Sequence, residues 1–171
     1  PTLLPTTFPN ILVNANQGIA VGMASNICSF NLQEVCEATM AFLQDPATDL
    51  ARYLKAPDLS SGGQLIYNER EIREIYETGR GGFKVRAKYR FDPWNNCIEI
   101  YEIPYTTTAE AIIDSLIELV KSGKVKEIND VRDETDLNGL KITMELRKNT
   151  EPDPLMNKLF KWTPLQESMN C

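Results

Sequence analysis

Histidine is absent from the 171-residue sequence, and cysteine is scarce. Without an imidazole, His-dependent catalytic triads, proton shuttles and most zinc catalysis are excluded. The four cysteines, Cys28, Cys36, Cys97 and Cys171, form no CxxC pair and have no metal-ligand spacing. Scattered single cysteines are more typical of a reduced cytoplasm than of a disulfide framework, so we expect free thiols and a cytoplasmic protein.

Long hydrophobic runs are also missing. No apolar stretch approaches the roughly 20 residues that span a bilayer, and the chain opens with Pro and Thr rather than with a secretory signal. We therefore expect no membrane association. The first residue is not Met, and the last residues follow a predicted helix, so we expect a segment of a longer protein.

Positive charge is in deficit. Lys and Arg number 18 against 24 Asp and Glu, which gives a formal net charge of −6. A protein that binds nucleic acid over most of its surface is usually basic, so any DNA contact must use a local patch.

Motifs for catalysis are lacking as well. Gly79-Arg-Gly-Gly82 does not have the spacing of a phosphate-binding loop, and no nucleophile has a base beside it. Asp133, Glu134 and Asp136 could hold Mg²⁺ through carboxylates, but a solvated turn before a strand is the better interpretation of this polar stretch. The sequence therefore predicts no catalytic residue and no metal site.

The N-terminal part has the pattern of a hairpin followed by a helix. Two short apolar runs, 10–14 and 19–23, flank a turn-like segment and predict a β-hairpin or tight loop. Asn31 with Glu34 is a capping signature for a helix that should end near Pro46.

From residue 59 the pattern becomes strand, helix, strand, strand, helix, strand. This order is the split βαββαβ arrangement, with helices packed on one face of a sheet. We therefore expect an α+β fold in three parts: a hairpin-and-helix segment (1–58), a two-layer βαββαβ domain (59–150) and a final helix (151–171).

Four cations alternate with apolar residues between positions 83 and 91. They are termed the basic segment: Lys84, Arg86, Lys88 and Arg90. On one strand they would lie roughly 6.5–7 Å apart, comparable with phosphate spacing along one DNA strand. The alternative is a solvent-facing strand with acidic cross-strand partners such as Glu99 or Glu145. The pattern alone leaves both open.

Ile19 follows Gly18 beside the predicted turn. An exposed branched aliphatic side chain there could act as a wedge between base pairs, as in proteins that bend DNA from the minor groove. From the pattern alone, burial of Ile19 in the core beside Val21 is the more ordinary outcome.

Several stretches, taken together, resemble one protein family. They are Leu4-Pro-Thr-Thr-Phe-Pro-Asn-Ile-Leu-Val-Asn14, Gly18-Ile-Ala-Val-Gly-Met-Ala-Ser-Asn-Ile27, Thr78-Gly-Arg-Gly-Gly82, Glu102-Ile-Pro-Tyr105, Arg132-Asp-Glu-Thr-Asp136 and Asn138-Gly-Leu140. In this order and spacing they resemble the A subunits of bacterial type IIA topoisomerases, DNA gyrase and topoisomerase IV. The resemblance covers nearly the whole chain and points to the tower region of those proteins.

The resemblance implies a role in holding DNA. In that family the hairpin rests on the minor groove, and the isoleucine at the position of Ile19 inserts between base pairs and helps to bend the duplex, which reverses the expectation of burial. Asn10 and Asn14 match positions near the DNA backbone. The basic segment lies in the tower, where its cations are candidate phosphate contacts, and the helix at 151–171 would lead towards the dimeric exit gate.

The resemblance also implies partners. These are double-stranded DNA, the B subunit, which carries ATP and Mg²⁺, and a second copy of the A subunit in a homodimer, so no cofactor is expected in this segment. The family's catalytic tyrosine lies in an upstream winged-helix domain, and none of the six tyrosines here matches it. Gyrase and topoisomerase IV are not distinguished. At Cys28-Ser29-Phe30 the chain departs from the Pro-Pro-His common in the family, so the role of that histidine is not transferred.

Two other classes of function stay open. One is a stand-alone, non-catalytic DNA-binding or interaction module, which a native start at Pro1 would support. The other is a small-molecule enzyme of the split βαβ type, which would need a ligand pocket with a strongly shifted carboxylate.

Overall fold

The computed structural model describes residues 2–3 and 5–171. Pro1 and Leu4, the second of which begins the first family motif, lie outside the described residues. Within the described part the chain forms five α-helices, one short 3₁₀ turn and nine strands in three sheets, which confirms the predicted α+β class. Across that part, no helix combines the length and the apolar character needed to cross a membrane.

The chain divides into two compact units. The first comprises Pro1–Leu59, Tyr67–Phe83 and Asn170–Cys171, and the second comprises Ser60–Ile66 and Lys84–Met169. The three-part division expected from the sequence stays a prediction.

The first unit consists of a hairpin and three helices. Its elements are α1 (Asn10–Val13), β1 (Asn16–Ala20), β2 (Met23–Ile27), α2 (Leu32–Gln44), a 3₁₀ turn (Leu50–Arg52) and α3 (Glu69–Thr78). The Asn31 side chain accepts hydrogen bonds from the backbone amides of Gln33 and Glu34, which confirms the predicted cap of α2. Asn68 caps α3 in the same way.

The hairpin lies later in the chain than predicted. The run 10–14 was expected to be a strand, but its first four residues form the helical turn α1, with the backbone amide of Asn14 bonded to the carbonyl of Asn10. Residues 16–18 of the predicted turn at 15–18 are instead strand, because the chain reverses at Val21-Gly22, where Gly22 adopts φ +81°. Glycine tolerates this left-handed conformation without a Cβ clash, so it decides where the strands turn.

The second unit is built on a four-stranded sheet. Its elements, with β4 beginning just before the unit, are β3 (Gln64–Ile66), β4 (Gly82–Arg86), β5 (Lys88–Asp92), β6 (Cys97–Glu102), α4 (Ala109–Lys121), β7 (Ile128–Asp133), β8 (Ile142–Leu146), α5 (Pro152–Trp162) and β9 (Gln166–Asn170). The sheet order is β5-β6-β8-β7, with antiparallel pairing throughout. A smaller sheet has the order β3-β4-β9.

The core of this unit lies between the four-stranded sheet and the two helices. Its fully buried members include Ile98, Ile100, Ile112, Leu116, Ile128, Ile142, Met144, Leu155, Met156, Leu159 and Leu165. Each such side chain contributes about 1.5–3 kcal/mol of favourable transfer free energy when it leaves water. This core provides the rigid base for the strands that carry the basic segment.

Three details of the second unit differ from the prediction. The single long strand expected over 83–91 is broken at Ala87, whose amide donates to the carbonyl of Leu165 (2.7 Å), so β4 and β5 belong to different sheets. Strand β7 was not predicted. The last helix does not continue to residue 171: it ends at Trp162, because Pro164 disfavours a helical conformation at Thr163, and β9 follows.

The cysteine prediction is wrong for one pair. Cys28 and Cys171 form a disulfide, while Cys36 and Cys97 are free thiols. Sequence spacing gave no indication of this pair because its members are 143 residues apart. The departing loop 28–30 is therefore structured: Cys28 is cross-linked, the Ser29 hydroxyl donates to the carbonyl of Asp58 (2.5 Å), and Phe30 packs edge-on against Tyr76.

Candidate nucleic-acid interface

The hairpin presents its apolar residues to solvent. Ile19 pairs with Ala24 across the two strands and is 84% exposed, so the expectation of burial beside Val21 is wrong. Val21 at the turn and Met23 at the start of β2 are exposed too. Three large apolar side chains at one hairpin tip form an apolar surface that is unfavourable in water, and such surfaces usually mark interaction sites.

The base of the hairpin is anchored to its own unit. The side-chain amide of Asn26 donates to the carbonyl of Asn170, and the amide of Phe30 donates to the carbonyl of Leu12 (2.8 Å). Cys28, one residue beyond β2, is disulfide-bonded to Cys171. Since an isolated two-stranded hairpin is only marginally stable, these anchors at its base are needed to hold the exposed tip in a defined place.

The two predicted backbone-binding asparagines lie together. The side-chain amide of Asn14 donates to the Oδ1 atom of Asn10 (2.5 Å), and both residues are exposed at opposite ends of α1. Each amide group retains further donors or acceptors for an external partner, because a carboxamide can make up to four hydrogen bonds.

The basic segment is not a uniform row of cations. Lys88 Nζ lies 2.9 Å from Glu102 Oε2, and the Arg90 guanidinium is paired with the carboxylate of Glu99. The acidic cross-strand partners considered from the sequence therefore exist, and Glu99 is one of them. Two of the four cations already have a carboxylate, which would compete with a DNA phosphate.

Arg86 is held by neutral groups. Its Nε donates to Gln166 Oε1 (2.6 Å), and its guanidinium carbon lies 4.7 Å from the centre of the Phe160 ring. This is the geometry of a cation–π contact. Lys84 differs from the other three: it is exposed, and among the described residues no carboxylate lies within 4.0 Å of its ammonium group. Lys84 is thus the member of the basic segment that is most available to a phosphate.

Ion pairing shifts the pKa values of Lys88 and of the two carboxylates, Glu99 and Glu102. The hydrogen bond from Lys88, followed by the backbone amide of Gly63, lowers the pKa of Glu102, and Glu102 in turn raises the pKa of Lys88. Lys141 and then Arg90 lower the pKa of Glu99 by hydrogen bonding. Glu99, Glu102 and Lys88 are therefore charged at neutral pH, and their ion pairs persist across the physiological range.

The acidic groups of the second unit serve as hydrogen-bond acceptors. Oxygen and sulfur atoms of Asp92, Cys97 and Glu99 lie within 4.8 Å of one another. However, Asp92 accepts from the backbone amide of Trp94 (2.9 Å) and from Asn95, and Glu99 is engaged by two cations. A metal ion would have to displace these donors, so the arrangement does not favour a cation site.

The acidic stretch 133–136 covers the end of β7 and the start of its connection to β8, so it is only in part the predicted turn. The Asp133 carboxylate accepts from the amide of Thr135 (3.0 Å), and that of Asp136 accepts from the amide of Asn138 (2.7 Å). Glu134 pairs with Lys141 (3.2 Å). Its carboxylates therefore shape the β7–β8 connection rather than converging on one point.

The motif resemblance agrees with a comparison against known families. A family model for the A subunit of DNA gyrase/topoisomerase IV matches residues 1–171. The chain belongs to this family. It is 39% identical over 176 aligned positions to the DNA gyrase A subunit of Ureaplasma parvum serovar 3, covering 99% of this chain and 21% of that protein.

Other relatives give the same result. The DNA gyrase A subunit of Mycoplasma pneumoniae is 37% identical over 171 positions, covering 97% of this chain and 20% of that protein. The corresponding protein of Clostridium acetobutylicum is 39% identical over 174 positions, covering 98% and 21%. The chain thus spans about a fifth of the length of the curated relatives it matches.

Sequence reasoning missed several residues of the candidate interface. Val21 and Met23 extend the apolar tip beyond Ile19, and Glu102 is the partner of Lys88. The hydrophobic run 19–23 could have predicted the apolar tip, because a hairpin turn at Gly22 exposes the apolar side chains of this run. The pairing of Glu102 with Lys88 could not be inferred from the sequence, because the β5–β6 register shifts at Lys88/Tyr89.

Proposed function

We propose that this chain is the DNA-binding and DNA-bending part of the breakage-reunion subunit of an ATP-dependent type II DNA topoisomerase. The observation that carries the proposal is Ile19, an isoleucine 84% exposed near the tip of an anchored hairpin in a chain of this family. Ile19, Val21 and Met23 are exposed together at this tip, and a contiguous exposed apolar surface marks an interaction site. In this proposal the partner is the stacked bases of a duplex.

The energetics require a second set of contacts. Separating one base step costs a few kcal/mol, which contacts along the bent arms must offset. The net charge of −6 means that these contacts come from a local group of cations. Lys84 contributes without breaking an ion pair, whereas Lys88 and Arg90 must share or release their carboxylates. Asn10 and Asn14 add neutral hydrogen bonds to the backbone beside the hairpin.

The whole protein has further proposed properties. A second copy of the protein would supply the other half of the DNA gate, and a B subunit would supply the ATPase and the Mg²⁺ site. The catalytic tyrosine would lie elsewhere in the whole protein, so the chain alone would bind DNA without cutting it. Such an enzyme acts on chromosomal DNA, and we place it in the bacterial cytoplasm.

The test is DNA bending measured by end-to-end FRET. A short duplex labelled at both ends is titrated with wild type, Ile19→Ala and Leu137→Ala at about 50 and 200 mM salt. Leu137 is the matched control, because it is a fully exposed aliphatic residue in the β7–β8 connection. Wild type and Leu137→Ala should shorten the end-to-end distance, and Ile19→Ala should bind with a similar salt dependence but leave the duplex straight.

Two results would overturn the proposal. Equal bending by all three proteins would show that Ile19 is not the wedge. Failure of the wild-type chain to bind at the lower salt concentration would show that this chain is not a DNA-binding unit.

A further inference from the structure

The disulfide Cys28–Cys171 joins two distant parts of the first unit. Cys28 lies immediately after β2, and Cys171 lies immediately after β9, 143 residues later. Cys28 is 8% exposed, whereas Cys171 is partly exposed. The other cysteines, Cys36 and Cys97, are free. A reagent in solution therefore reaches the partly exposed Cys171 more readily than the buried Cys28.

The bond lies at the base of the apolar hairpin. Three non-covalent contacts surround it: the Asn26 side chain donates to the carbonyl of Asn170, and Cys171 exchanges two backbone hydrogen bonds with Gly81, with N–O distances of 3.0 and 3.2 Å. The hairpin itself adds little, because all five residues of β1 and the first three of β2 are exposed. Among the described residues, the disulfide is the one covalent link that ties the hairpin base to the end of the chain.

We propose that Cys28–Cys171 is a reversible thiol–disulfide switch that controls how firmly the DNA-bending hairpin is held. This inference rests on the proposed function, since it assigns a regulation to the same hairpin. Disulfides in the cytoplasm are usually transient and redox-sensing, so a single cross-link beside an interaction site fits this class better than a permanent structural role.

The chemistry is thiol–disulfide exchange with a small thiol such as glutathione. A thiolate attacks Sγ of Cys171, the Cys28–Cys171 bond breaks, and Cys28 leaves as a thiolate that takes a proton. A second glutathione thiolate attacks the mixed disulfide at the glutathione sulfur, which releases Cys171 as a thiolate that is then protonated and leaves oxidised glutathione. Two electrons pass from two glutathione molecules to the protein, and oxidised glutathione reverses the sequence.

The oxidised and reduced states differ in how firmly the hairpin is held. In the oxidised state the cross-link fixes the end of β2 to the residue that follows β9. In the reduced state only non-covalent contacts remain there, namely the hydrogen bonds and the packing of Phe30 on Tyr76, and the hairpin opens and re-forms more often. A wedge must stay in place to hold a base step apart, so the oxidised state bends DNA and the reduced state bends it less.

The first arm of the test maps the bond. The full chain is equilibrated in oxidised or reduced glutathione, denatured and alkylated with a maleimide, and weighed by mass spectrometry. Since two of the four cysteines are paired, we expect two adducts from the oxidised protein and four from the reduced protein. Four adducts under both conditions would overturn the proposal.

The second arm measures the hairpin without DNA. Amide hydrogen exchange over residues 16–27 should become roughly tenfold faster or more after reduction, while exchange in α4 should not change. Cys171→Ser should exchange at the reduced rate under both conditions, and Cys28→Ser serves as a second variant if the first does not fold. Cys36→Ser is the matched control and should keep the response. Equal exchange of wild type in both states would overturn the proposal.

The third arm links the switch to DNA. In the FRET assay the oxidised wild type should bend the duplex more than the reduced protein, and Cys171→Ser should bend it equally in both buffers. If no state bends DNA but alkylation and exchange respond as expected, the proposed function fails and the control of the hairpin stands. If the oxidised and reduced proteins bend DNA equally, the control of bending is wrong.

Discussion

The four cations of the basic segment make different contacts. A comparison of Lys84 with Arg86 separates an effect on DNA binding from an effect on stability. Lys84 is exposed and has no carboxylate nearby in the described part of the chain, whereas Arg86 stacks on Phe160 and donates to Gln166. We expect Lys84→Gln to weaken DNA binding without loss of stability. We expect Arg86→Gln to lower stability and to leave the salt dependence of binding unchanged.

The magnitude for Lys84 follows from counterion release. A cation that neutralises one phosphate contributes about 0.9 to the slope of log K against log salt concentration, so Lys84→Gln should flatten that slope by about 0.9. When the salt concentration rises fourfold, the ratio of the wild-type binding constant to that of Lys84→Gln should therefore fall by roughly 3.5-fold. The free energy of unfolding should change by less than about 0.5 kcal/mol, as is usual for an exposed site.

The magnitude for Arg86 follows from its two contacts. A partly desolvated cation–π contact contributes about 0.5–2 kcal/mol, and a hydrogen bond from a charged donor about 1.5–3 kcal/mol. Because Gln keeps some packing and can replace one hydrogen bond, we expect Arg86→Gln to lower the free energy of unfolding by about 2 kcal/mol.

Two assays decide between these roles. Urea denaturation monitored by circular dichroism gives the stabilities, and fluorescence anisotropy of a labelled duplex at four or more salt concentrations gives the slopes. A flatter slope for Arg86→Gln with wild-type stability would refute the assignment of Arg86 to intramolecular contacts with Gln166 and Phe160. An unchanged slope for Lys84→Gln would remove Lys84 from the interface.

Three further predictions concern stability in the second unit. Leu159→Ala removes a fully buried side chain and should cost about 2–5 kcal/mol in urea denaturation, so a cost below about 1 kcal/mol would contradict the described core. Gly63→Ala should cost about 1–3 kcal/mol, measured in the same way, because Gly63 has φ +97° and the new Cβ would lie 2.9 Å from Val85 Cγ1; a neutral result would contradict this turn geometry. The pKa of Glu99 is held below its ordinary value of 4.5, chiefly by Lys141, so its stabilising contribution is complete above about pH 5 and is lost as the pH falls through the folded-state pKa. The urea midpoint of wild type should therefore fall more steeply below pH 5 than that of Glu99→Gln, and parallel curves would refute the pairing.

Local sequence signals predicted much of the fold. The helix predicted after Asn31 forms as α2, and its asparagine cap is in place. Such elements depend on residues three or four positions apart, so a single sequence contains the information that they need.

Long-range contacts caused the errors. The alternation over 83–91 gave no sign of the break at Ala87, which arises because its amide pairs with Leu165 far along the chain. The partner of Cys28 was equally hidden by sequence distance. The position of the hairpin was misjudged because the glycine at position 18 was taken for the turn, whereas Gly22 adopts the positive φ.

The candidate interface was predictable to a different degree at each position. The family motifs selected Ile19, and its exposure then agreed with a wedge rather than with the burial favoured by pattern alone. The motifs did not indicate that Lys88 and Arg90 are paired with carboxylates, because cross-strand neighbours depend on register.

The central claim is that Ile19 separates a base step, and base unstacking measures this most directly. A duplex that carries 2-aminopurine at the bound step gains fluorescence when that base loses its stacking partner. We expect the wild-type chain to raise the fluorescence and Ile19→Ala, at equal occupancy measured by anisotropy, to leave it near the value of free DNA. Equal fluorescence for both proteins at equal occupancy would contradict the account.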